Sequence, residues 1–136
     1  MGAYTFTPDL ITGNMMIDTQ HKELIKAIDA LMTACNSGHG RAQLEPTLKF
    51  LADYTGKHFG DEEALQRRYN YPDCVNHKKL HDAFKLTVKT LGDQLCKEGA
   101  TVVLVGKVNA EIGGWLITHI KREDVKVAAH VKAHGG

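Results

Sequence analysis

Apolar residues recur along this chain at alternating spacings of four and three, the mark of a helix that buries one face. Between residues 41 and 69 the series Leu44, Leu48, Leu51, Thr55, His58, Glu62 and Leu65 keeps that rhythm. Between 73 and 98 it runs Cys74, His77, His81, Phe84, Val88, Leu91 and Leu95. Segment 18–37 sets His21, Leu24, Ile25, Ile28, Leu31 and Cys35 on one face, and segment 101–121 gives Val105, Val108, Ile112, Trp115 and His119. Turn-forming clusters separate these runs: Thr7-Pro8 to Asn14, Asn36 to Gly40, Asn70 to Asp73, and Lys97 to Gly99. Asp18 and Asp73 are the expected N-caps, with Gly38 and Gly99 as C-terminal stops. Helices of ~20 residues are ~30 Å long, and joined by short turns they predict an up-down-up-down bundle. The expected fold is therefore all-α: an N-terminal arm (1–17), a four-helix bundle, and a short C-terminal helical extension (123–134), in one domain covering 1–136.

Composition adds little until histidine is counted. The 136 residues are 43% hydrophobic and 24% charged with a net charge of +1, which gives no electrostatic motive for nucleic acid or an anionic membrane. Cys35, Cys74 and Cys96 are odd in number and form no C-x-x-C, so neither a zinc ribbon nor a disulfide framework is expected. No secretory signal opens the sequence, and the longest apolar run, Val102 to Val105, is far too short to span a bilayer. These features predict a soluble, cytoplasmic chain without membrane contact. Its eight histidines are the one oddity.

Five of them, His21, His58, His77, His81 and His119, fall on the predicted core seams, together with Glu62. Any single core histidine is ordinary. Five or more of eight on seam positions by chance is roughly a one-in-twenty event. An unpaired ionised Glu62 in a core costs several kcal/mol. His58 with Glu62 and His77 with His81 are four residues apart, a spacing that stacks both side chains on one helix face. The set points to a bound metal. Asp124 follows His119 by five residues, ~140° away on a regular helix, so it joins the cluster only if the helix ends or bulges there.

Five imidazoles and two carboxylates exceed one zinc site and suit two metals bridged by the carboxylates. A nitrogen-rich set favours iron, copper, nickel or zinc over magnesium or calcium. No Glu-x-x-His occurs, unlike the carboxylate-rich ferritin-like di-iron proteins. His39, His130 and His134 read as exposed surface, Asp61 and Glu63 as solvated, and the cysteines as packed. Gly113-Gly114, inside a predicted helix, reads as room for close packing or a path to the metals.

The stretches Ile17-Asp18-Thr19-Gln20-His21, His58-Phe59-Gly60-Asp61-Glu62-Glu63, His77-Lys78-Lys79-Leu80-His81 and Trp115 to Asp124 strongly resemble bacterial hemerythrins, from about Tyr4 onward. Departures lie at Tyr4, Phe6 and Val127, where the family carries a Trp near the N-terminus and a Tyr after the bridging Asp. The resemblance implies two irons (Fe2+/Fe3+). One would be held by His77, His81 and His119, the other by His21 and His58, with Glu62, Asp124 and an oxo or hydroxo group bridging. It implies reversible dioxygen binding beside His21 and His58, with azide or similar anions binding the oxidised form. Leu24, Phe59, Trp115, Leu116 and Ile120 are the candidate lining of a dry pocket. Hemerythrin-like domains also occur fused to signalling proteins, and the Met-Gly start and Gly-Gly end would suit a sensor domain taken from one. A carrier or storage role uses the same residues. The alternative is a di-iron peroxidase or oxidase consuming dioxygen, peroxide or nitric oxide. The absence of a spare acid–base group in the predicted cluster argues for binding instead.

Overall fold

The computed structural model describes residues 6–136, so Tyr4 and the first five residues of the arm lie outside the described residues. Three long helices come first: α1 (Met15–Asn36), α2 (Gly40–Arg68) and α3 (Cys74–Glu98). The last part of the chain is one helical run from Val102 to Ala133: α4 (Val102–Val108), a π-turn (Asn109–Gly113), α5 (Gly114–His119), a second π-turn (Ile120–Asp124) and α6 (Val125–Ala133). A single 3-10 turn, Pro8–Leu10, precedes them and buries Leu10 in the core. No helix among the described residues is long and apolar enough to cross a membrane.

The helix ends differ from expectation at two caps. Asn14, not Asp18, starts α1, its side chain accepting from the Ile17 amide at 3.1 Å. Asp18 lies inside the first turn, where its carboxylate accepts from the Thr12 amide (2.9 Å), the Thr12 hydroxyl (2.7 Å) and the Gly13 amide (3.2 Å). It ties the arm down instead of capping. Asp73 does precede α3, but its side chain caps nothing and accepts from Asn76 Nδ2. Gly38 and Gly99 stop their helices as expected, with φ of 81° and 76°, the left-handed region that an L side chain enters at a cost.

The expected seams are the buried ones, with Cys35, Leu65, Cys74, Leu95 and Trp115 only half-buried at their edges. Along each helix the core has three layers. One apolar cluster holds Leu24, Leu51, Phe84 and Leu116 with their neighbours, and a smaller one holds Ile17, Tyr71, Val127, Ala128 and Val131. Between them lies a polar layer. Helix α1 meets it after Ile17 and before Leu24, and α3 meets it after Cys74 and before Phe84. Helix α2 reaches it in the opposite sense, from Leu51 toward Leu65, as does the last run, from Leu116 toward Val127. The alternation is the up-down-up-down topology that the seams predict.

One expectation about this last run is corrected and another is narrowed. It is not a helix ending at 121 followed by a separate segment, because the backbone stays in the right-handed helical region through both π-turns. A Cβ added at Gly114 would meet nothing within 4 Å, so that glycine serves no close packing. Of the thiols, Cys35 and Cys74 are half-buried, but Cys96 is exposed and not packed.

Candidate metal centre

Every buried histidine and every buried carboxylate among the described residues sits in the polar layer: His21, His58, Glu62, His77, His81, His119 and Asp124. Asp124 gets there through the second π-turn. A regular helix would have rotated it away from His119. The extra residue in the wide turn brings its oxygen to 3.1 Å from His119 Nε2.

The seven form two overlapping groups that share both carboxylates: Glu62, His77, His81, His119 and Asp124, and His21, His58, Glu62 and Asp124. The sharing is resolved oxygen by oxygen. Glu62 Oε1 lies 2.7 Å from His77 Nε2 and 3.1 Å from His81 Nε2, while its Oε2 faces His58 Nε2 at 4.0 Å. Asp124 Oδ1 lies 3.0 Å from His77 Nε2, while Oδ2 lies 2.7 Å from His21 Nε2. Each carboxylate therefore points one oxygen into each group, the disposition of a bridging ligand.

Imidazole nitrogens do not crowd together without cause. His119 Nε2 stands 3.2 Å from His77 Nε2 and 3.3 Å from His81 Nε2. Donor atoms about 2.1 Å from one common centre and at right angles stand about 3 Å apart, which is close to these distances. Among the described residues Glu62 Oε2, with the His58 nitrogen at 4.0 Å, and Asp124 Oδ1 are buried without a hydrogen-bond partner. Orphaned carboxylate oxygens and converging nitrogens fit cations, and the donor set fits iron.

The charges agree. Burial and the neighbouring Asp124 push the Glu62 carboxyl up, but His77 and His81 hold it below the usual range. Burial likewise opposes ionisation of Asp124, yet contacts with His119, His21 and His77 hold it well below the usual range. Burial also works against a proton on His77, but Asp124 and Glu62 outweigh it and raise His77 to about 9. His58 goes the other way: burial, only partly offset by Glu62, lowers it to about 4.

Aromatic rings brace the imidazoles. Phe59 stacks on His81 (3.8 Å, 3°) and Trp115 on His119 (4.4 Å, 11°), with Phe84 stacked on Trp115 in turn. Both bracing rings thus lie against the three-histidine group, and Trp115 is only half-buried. Leu24, Phe59, Leu116 and Ile120 are fully buried in the larger apolar cluster.

Asp61 and Glu63, read as solvated, do more than that. Glu63 accepts from His81 Nδ1 at 3.0 Å, and Asp61 accepts from Gln20 and from Lys57. Gln20 itself, buried beside His58, carried no expectation at all. The available signal was position: each flanks a seam ligand at the edge of the buried stripe. His130 is half-buried, not exposed surface, and its Nε2 donates to the Tyr69 carbonyl at 2.7 Å. His39 and His134 are exposed as expected.

Comparison with known proteins agrees with the geometry. A family model described as the hemerythrin HHE cation binding domain matches residues 12–131, which takes in all seven residues of the polar layer. A bacteriohemerythrin of Stenotrophomonas maltophilia (strain R551-3) is 31% identical over 98% of this chain and 85% of its own. A hemerythrin-like protein of Naegleria gruberi is 31% identical over 90% of this chain and 89% of its own, and a Campylobacter jejuni bacteriohemerythrin is 28% identical over 93% and 94%. A histidine-rich, carboxylate-bridged layer in a four-helix bundle, matched along nearly its whole length, leaves one assignment: the chain belongs to the hemerythrin family.

Proposed function

We propose that this protein binds dioxygen reversibly at a pair of irons. His77, His81 and His119 would hold one iron and His21 and His58 the other, with Glu62 and Asp124 bridging and an oxo or hydroxo group as third bridge. The observation that carries this reading is the oxygen-by-oxygen division of Glu62 and Asp124 between two donor groups. Two ferrous ions bound there would supply the two electrons that reversible dioxygen binding needs.

The chain's own residues do the rest. One group offers five donors and the other four, so the poorer one, at His21 and His58, is where dioxygen is accommodated. Leu24, Leu116 and Ile120, with Phe59 and Trp115 behind the other imidazoles, are the wall that keeps water away. Every buried histidine and carboxylate among the described residues is already a donor, so no buried group of that kind is left over to move protons for turnover. Binding is favoured over a peroxidase or oxidase for that reason. Sensing, carriage and storage in the cytoplasm would all use this one site.

The test is anaerobic loading with ferrous iron, elemental analysis, and repeated cycles of air and argon read by absorption. The expected result is two irons per chain and a band that appears with dioxygen and disappears on its removal. A single zinc, or steady consumption of a reductant with dioxygen, would displace this reading.

A further inference from the structure

Gln20 lies in α1 immediately before His21, buried, with both ends of its amide engaged. Its Nε2 is 2.8 Å from Asp61 Oδ2, and its Oε1 is 2.6 Å from His58 Nδ1. The Asp61 carboxylate, paired with Lys57 Nζ at 3.0 Å, can only accept. The Gln20 nitrogen must therefore face Asp61, which fixes the amide's orientation and places its carbonyl oxygen on His58. A carbonyl also only accepts, so His58 Nδ1 must carry the hydrogen. Its Nε2 lone pair is thereby left bare toward Glu62. An ion pair at the surface, relayed by one amide, decides the tautomer of a buried histidine.

The other group solves the same problem with a charge. His81 Nδ1 donates directly to Glu63 Oε2 at 3.0 Å. A carboxylate on the outer nitrogen of a metal-binding imidazole makes it a stronger ligand, more so than a neutral amide does. Among the described residues the Nδ1 atoms of His21 and His77 have no hydrogen-bond partner.

We propose that Gln20 is the positioning residue of the two-histidine group, holding His58 as the Nδ1–H tautomer through a neutral amide and leaving that group the weaker donor of the two. This rests on the two-iron reading above. Its consequence is that the two metals are held unequally, and the one beside His21 and His58 leaves first.

Long-range 1H–15N spectra of the metal-free protein read the His58 tautomer with no iron present. The wild type should show Nδ1–H, and Gln20→Met, which keeps the volume but not the amide, should show a mixture or the opposite tautomer. Loaded with ferrous iron under argon and challenged with a chelator, Gln20→Met should lose one of its two metals about 10–100-fold more readily. The double variant Gln20→Glu with Asp61→Asn reverses the chain: the Asn amide donates to the Glu carboxylate, which still accepts from His58. It should keep the tautomer and release its first metal more slowly than wild type, a change that lost packing would not produce. It also carries the test if Gln20→Met fails to fold. An Nδ1–H signal persisting in Gln20→Met, or a double variant releasing its first metal no more slowly than wild type, would overturn the proposal. If the wild type takes up fewer than two irons, the two-iron reading fails, while the tautomer spectra still decide the role of Gln20.

Discussion

A proton on His77 stands where a cation's charge would otherwise be, between Glu62 Oε1 at 2.7 Å and Asp124 Oδ1 at 3.0 Å. A histidine must lose that proton to bind a metal, and His77 is raised to about 9, so iron uptake at pH 7 should release at least one proton per chain. Proton release measured in weak buffer during anaerobic iron addition checks this, and release of none would contradict it. The iron-free protein should also show a stability maximum near pH 6.5. Below it the unfolded His58 takes up a proton that the folded one, lowered to about 4, refuses, so stability falls as pH drops from 6.5 to 4. Above it the folded His77 keeps a proton that the unfolded chain gives up, so stability falls as pH rises from 6.5 through about 9. Each arm is worth about 3 kcal/mol. Guanidinium unfolding of the iron-free protein across pH 4–9 measures it, and a flat profile would show these assignments to be wrong.

Helix geometry decides whether the seventh donor exists. Asp124 is aimed by one residue's worth of extra turn between Ile120 and Asp124, and nothing else in the fold could bring it inward. Deleting Arg122, which is exposed, should convert the π-turn to regular helix and leave Asp124 four residues after His119, ~40° away and still on the cluster face. Helix content by circular dichroism should hold and two irons should still bind in the deletion, whereas Asp124→Ala should bind fewer than two per chain. Two irons retained in Asp124→Ala would remove Asp124 from the donor set. At the start of α1 the burden falls on Asn14. Asn14→Ala should cost about 1 kcal/mol in chemical unfolding, a larger loss than a substitution at the neighbouring exposed Met15 gives.

Across the whole molecule, a polar layer is clamped between two apolar clusters. That sandwich keeps the donors dry and fixes their directions. Weakening the wall on the larger cluster's side should shorten the life of the oxygenated form while both irons remain. Leu116→Ala opens space and Ile120→Glu brings water, the latter also destabilising the fold by a few kcal/mol through burial of a polar group. The decay of the oxygenated absorption band in air, variant against wild type, reads this. Unchanged decay in both would remove these residues from the pocket. Azide added to the oxidised protein should bind at the His21–His58 side, where the donor set is poorer.

Helical periodicity was enough to determine the bundle, its direction of travel and six of the seven residues of the polar layer, because a seam position is a local property of spacing. His21, His58, Glu62, His77, His81 and His119 each sit where an apolar residue would otherwise be, and nothing distant is needed to read that. Asp124 was legible only through family resemblance, since its place depends on a π-turn that a hydrogen-bond shift, not a composition signal, creates. Gln20 and Glu63 were not legible as site residues, because their work lies in which nitrogen of a histidine on another helix they face. The division of each carboxylate between two groups was decided by tertiary structure for the same reason. It is a matter of a few ångströms between side chains brought together from different helices, and sequence spacing along any one helix does not contain it.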